Sequence, residues 1–126
     1  MRTSAFIRLK SDQLEMEFEW LGFDGDDCFN DFRINVIAKT GTRRFDFGGC
    51  VVSGLRKLSR FFRDNTQTTV GGGFRKPDVR FYDVQRKNDG YSLVVRFEDS
   101  GIREEFYIRN PRTEIDDEFM RTVYSN

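Results

Sequence analysis

The segment Leu14-Glu15-Met16-Glu17-Phe18-Glu19-Trp20 alternates strictly between an apolar side chain and glutamate. A two-residue period puts successive side chains on opposite faces of an extended chain. The stretch therefore reads as a half-buried strand with one apolar face and one wet, acidic face. Such a strand needs neighbours, and the flanking sequence supplies them. Residues Phe6 to Leu9 read as a short strand before it, and Gly22 to Asp27 as a turn or loop after it. Phe32, Ile34, Val36 and Ala38 alternate with Arg33, Asn35, Ile37 and Lys39, which marks a second strand. Lys39-Thr40-Gly41-Thr42 is a tight turn into a third, Arg43 to Phe47, completing a hairpin.

The period then changes. Between Cys50 and Asp64, Val51, Leu55, Leu58 and Phe62 recur at helical spacing, so one helix is expected here with these residues inward. Arg56, Lys57, Arg60 and Arg63 form a basic patch away from that face. Asn65 to Lys76, with Gly71-Gly72-Gly73, reads as a flexible loop. It is not a phosphate-binding loop, because it leads into Pro77 and a strand where that motif needs a helix. Asp78 to Lys87 reads as a strand, and Asn88-Asp89-Gly90 is a strong hairpin turn. Tyr91, Leu93, Val95 and Phe97 alternate, and Ile102, Phe106 and Ile108 follow after Asp99-Ser100-Gly101, with Glu104 breaking the apolar face. Thr113 is placed to cap a last helix carrying Ile115, Phe119 and Val123 inward. The expectation is a single α+β domain over 1–126. It has an antiparallel sheet of about six strands in two groups, split by a central helix, and a short C-terminal helix. With 14 Phe, 4 Tyr and 1 Trp in 126 residues, the chain has the material for a substantial core.

The chain contains no histidine. That removes Ser-His-Asp and Cys-His catalysis and nearly all catalytic zinc sites. Cys28 and Cys50 form no Cys-x-x-Cys motif and read as two free thiols. Asp24, Asp26, Asp27 and Asp31 invite a calcium reading, but counting from Asp24 puts Cys28 at the fifth ligand position and Asn35 at the twelfth, so the loop pattern fails. No nucleotide fingerprint, cofactor or metal motif is present, and a non-catalytic binding module is expected. No apolar stretch is long enough to span a bilayer, and the first ten residues lack a signal-peptide core. The expected location is cytoplasmic. Bases and acids balance at 21 each, but unevenly. Residues 1–31 carry a net charge of −5, residues 32–109 of +7, and residues 110–126 of −2. The basic helix face could hold nucleic-acid phosphates, which is the alternative function.

Asp26-Asp27-Cys28-Phe29-Asn30-Asp31-Phe32-Arg33-Ile34-Asn35-Val36 resembles the opening motif of the WapI-type bacterial immunity family: an acidic loop, then an aromatic, Asp or Asn, and a large apolar residue leading into a strand. The hairpin, helix and later meander follow in the expected order over roughly residues 14–110. The resemblance implies an intracellular antidote that binds a toxin and blocks it by occlusion. It implies no catalytic residues. Candidate contacts are Asp24, Asp26, Asp27 and Asp31, whose charge suits a basic cleft, with Phe23 and Phe29 as apolar anchors.

Overall fold

The computed structural model describes residues 4–21, 31–48, 52–64, 67–74 and 78–117. Over these the elements are β1 (Ser4–Lys10), β2 (Leu14–Leu21), β3 (Asp31–Ala38), β4 (Gly41–Gly48), α1 (Val52–Asp64), β5 (Thr69–Phe74), β6 (Arg80–Lys87), β7 (Gly90–Phe97), β8 (Arg103–Arg109) and β9 (Arg112–Asp116). The strands form two antiparallel sheets, one ordered β4-β3-β2-β1-β9 and the other β5-β6-β7-β8. The expected antiparallel α+β character is present, but the strands are divided between sheets of five and four.

The period-two sequences dictate the packing. In the five-stranded sheet the register aligns Phe45, Ile34, Phe18, Ile7 and Ile115 in one row across all five strands, and Phe47, Phe32 and Trp20 in the next. All of these except the partly covered Ile115 are buried. The four-stranded sheet answers with Tyr82, Val84, Leu93, Val95 and Ile108. The sheets cross steeply. Successive inward side chains of β4 meet successive strands of the other sheet. Arg43 pairs with Glu104 of β8. Phe45 packs on Phe97 of β7 at 5.9 Å and Phe106 of β8 at 6.0 Å. Phe47 packs on Phe74 of β5 at 5.0 Å and Tyr82 of β6 at 6.0 Å. Such crossing is the orthogonal mode of sheet packing, which leaves an open flank to be filled. Helix α1 fills it. Phe62 reaches Phe18 of one sheet at 6.1 Å and Tyr91 of the other at 5.0 Å. Arg86 donates to the Phe61 carbonyl at 2.6 Å and lies over the Phe61 ring.

Several expectations are corrected. The glycine-rich segment is not a loop throughout: Thr69–Phe74 is strand β5. Its glycines serve close approach, since a Cβ on Gly71 would stand 2.4 Å from the Asp83 carboxylate and 2.5 Å from the Tyr82 carbonyl, and one on Gly73 would stand 2.8 Å from the Phe81 ring. The expected C-terminal helix fails over Thr113 to Asp116, which belong to β9 and pair with β1, Ile115 opposite Ile7 and Glu114 opposite Arg8. The open side of β1 outcompetes a local capping signal. Phe119 and Val123 lie outside the described residues. Ile102, expected inward, is exposed. Glu104 takes an inward position instead, held by Arg43.

Candidate partner-binding surfaces

Three surfaces among the described residues are candidates for partner binding, and each follows from the strand and helix positions above. The outer face of the five-stranded sheet carries Glu15, Glu17 and Glu19 on β2. That strand is interior, flanked by β1 and β3, so the glutamates are not guarding an edge. They are instead neutralised by bases on neighbouring strands. Arg8 lies 3.0 Å from Glu17 and 3.8 Å from Glu15, and reaches Glu114 at 3.4 Å. Lys10 is 4.0 Å from Glu15, and Arg33 is 3.9 Å from Glu19 and 2.8 Å from Asp46. Asp46 also meets Arg44 at 3.2 Å. Burial alone would raise the Asp46 pKa, but the hydrogen bonds and charges of Arg33 and Arg44 hold it below the ordinary carboxylate value. Cross-strand pairs of this kind contribute roughly 0.2–1 kcal/mol each. The result is a charge ladder internal to the sheet.

The basic patch on α1 divides. Arg56, Lys57, Arg60 and Arg63 are all exposed at the residue level. Arg63, however, makes two bonds to the buried Asp117, at 2.9 and 3.1 Å, and a third to Ser59 at 2.9 Å. Ser59 donates to the same carboxylate at 3.0 Å. Arg63 therefore fastens the helix to the chain just beyond β9, and Arg56, Lys57 and Arg60 make up the outward part of the patch.

The acidic candidates Asp24, Asp26 and Asp27, the anchors Phe23 and Phe29, and both cysteines lie outside the described residues. The backbone of Asp31 is the first residue of β3, in register with Leu21, but its side chain also lies outside them.

Sequence reasoning missed the third surface, the edge formed by β8, which is terminal in its sheet among the described residues. Tyr107 and Ile102 are the large apolar side chains most exposed among the described residues, at 41% and 48%, and both belong to this edge or the turn leading into it. A hollow of about 930 Å³ lies between the β1–β2 turn (Lys10 to Leu14) and Tyr107, Arg109 and Arg112. A smaller one of about 440 Å³ is lined by Phe81, Ile102, Arg96 and Arg103. The signal for Tyr107 was present in the sequence: it sits among Arg103, Glu105 and Arg109 on the charged half of the β8 alternation. Among the described residues there is no group of acids or cysteines that could hold a metal ion, and no helix long and apolar enough to cross a membrane. In comparisons with protein-family models, characterised proteins and solved structures, nothing matched this chain.

Proposed function

We propose that this chain is a non-catalytic protein-binding module of the immunity type, a cytoplasmic antidote that covers and blocks a toxin. The observation that carries the reading is the charge ladder. A surface built to attract a basic partner needs acids that are not already neutralised, because the gain in encounter rate depends on the field left outside the protein. Glu15, Glu17 and Glu19 are committed to Arg8, Lys10 and Arg33. The remaining acids of residues 1–31 are Asp12 and the group Asp24, Asp26, Asp27 and Asp31. That group coincides with the motif that resembles the immunity family, and Phe23 and Phe29 beside it supply apolar anchor material.

The test is recovery of a stoichiometric partner on the tagged chain from its native cells, then co-expression of the two. Relief of growth arrest is the expected result. Reversing charge at Asp26 and Asp27 together should lower the association rate by about tenfold or more, with most of the loss disappearing at high salt. Unchanged affinity in that double variant would overturn the acidic-contact reading. Nucleic-acid binding through Arg56, Lys57 and Arg60 is the second reading, favoured by their outward placement on one helix. It requires affinity for a single- or double-stranded oligonucleotide that falls steeply with salt.

A further inference from the structure

The hydrogen-bond pattern of β8 fixes which of its backbone groups face outward. At one end of the β7–β8 ladder the Phe97 amide donates to the Ile102 carbonyl at 2.9 Å, and at the other the Asn110 amide donates to the Asp89 carbonyl at 2.6 Å. Antiparallel bonding alternates along the strand. The even-numbered residues therefore bond inward to β7, and Arg103, Glu105, Tyr107 and Arg109 direct their amides and carbonyls to the free side. Among the described residues, strand β8 is terminal in its sheet. Exposed Tyr107 stands on it, and the ground beside Tyr107 and Arg109 is the open hollow described above. Free edges of this kind pair readily with another strand.

We propose that two copies of this chain pair antiparallel, edge to edge, through β8, with the twofold axis at Tyr107. An isologous contact must be self-complementary, and the strand's charges select the register. An axis at Glu104 or Glu105 sets that glutamate against its own copy. An axis at Phe106 sets Arg103 against the partner's Arg109. An axis at Ile108 leaves only three strand residues in overlap. The axis at Tyr107 sets Glu105 opposite the partner's Arg109 twice over, and Tyr107 opposite the partner's Tyr107. On the inner face, Phe106 then stands opposite the partner's Ile108, which extends the apolar layer of both sandwiches. As with any axis placed on a residue of this strand, the outward amides and carbonyls meet as hydrogen-bonded pairs, here 105 with 109 and 107 with 107. Both charged residues now have contacts within their own chain, Arg109 with Asp89 at 2.9 Å and Glu105 with Ser92 at 3.3 Å and Arg103 at 3.6 Å. A guanidinium has five donors and a carboxylate about four acceptor positions, so neither is saturated. The two joined four-stranded sheets would form one continuous sheet of eight.

Sedimentation velocity from micromolar to near-millimolar protein tests this. The unmodified chain should rise from one copy towards two with concentration. Glu105→Arg and Arg109→Glu should each weaken self-association by about tenfold or more, because each brings like charges together at two places. The double variant Glu105→Arg/Arg109→Glu restores opposite charges and should recover association. Tyr107→Lys, which places two ammonium groups on the axis, should abolish it. Circular dichroism of each variant verifies the fold. A chain that stays single at every concentration overturns the proposal. So does a dimer indifferent to both single reversals, or a double variant no better than the singles.

Discussion

Asp117 shows how a single polar residue can secure an element. It is 8% exposed and accepts from both Ser59 and Arg63 of α1. Asp117→Ala leaves a part-buried guanidinium and a buried hydroxyl without their acceptor. The expected loss is about 1–3 kcal/mol, read by urea denaturation at neutral pH, with Arg63→Ala costing at least as much because the carboxylate it leaves behind is only 11% exposed. Two residues contribute responses to pH of opposite sign. Burial, and then the charge of Asp83, raise the phenol of Tyr82 well above its ordinary value. A raised pKa means its contribution is intact below the unfolded value of about 10 and is lost as pH climbs past it. Tyr82→Phe should therefore flatten the fall in stability at alkaline pH. Asp46 has the opposite sign. Its lowered pKa contributes above the unfolded carboxylate value and is lost as pH falls through the folded one. With a side chain 49% exposed and screened by solvent, Asp46→Asn should cost only about 0.5 kcal/mol at pH 7, and nothing once the wild-type carboxylate is protonated.

The elements differ in how plainly the sequence announces them. Strands β2, β3 and β7, and the Val52–Asp64 helix, follow from side-chain period, because each buries one face against a large partner. Strand β5 has no period to read: three of its six residues are glycine, and their value lies in what a neighbour does with the vacant space. Strand β9 is short and mixes the strand-favouring Thr113 and Ile115 with Glu114 and Asp116, which do not favour strands, and its pairing with β1 is set by a residue stretch a hundred positions away. The charge ladder was half legible. The glutamate face was plain, but its bases come from β1, β3 and β4, and only the register brings them together. Basic α1, nearer to hand in the sequence, directs Arg63 to Asp117 instead. Glycine placement provides the test at this scale. A Cβ on Gly90 would fall 1.9 Å from the Ile108 carbonyl and 3.0 Å from the Arg109 Cα, both backbone atoms that cannot swing aside. Gly90→Ala should cost at least about 2 kcal/mol by urea denaturation and loosen the β7–β8 ladder. Gly101→Ala, at φ +70° with open space around it, should cost about 1 kcal/mol and leave the ladder intact.

At the scale of the whole molecule, sequence-adjacent hairpins supply much of each sheet, while the crossed sheets and the wedged helix add contacts between residues far apart in sequence, and chains rich in such long-range contacts fold slowly. The pairing of β1 with β9 is the extreme case, joining Phe6 to Asp116 and Lys10 to Arg112. On the ribosome, residues 4–48 can assemble four strands of the larger sheet while the remainder is still being made. The outer side of β1 then stays unpaired until Arg112–Asp116 has emerged, and so does the flank that α1 and Asp117 close. A nascent chain halted before Arg112 would present a bare strand edge beside Ile7 and Leu9, which is a template for aggregation. Synthesis of such a shortened chain should accordingly yield insoluble material or one held by chaperones, whereas the full chain is recovered folded. The last of the described strands is thus the one that seals the first.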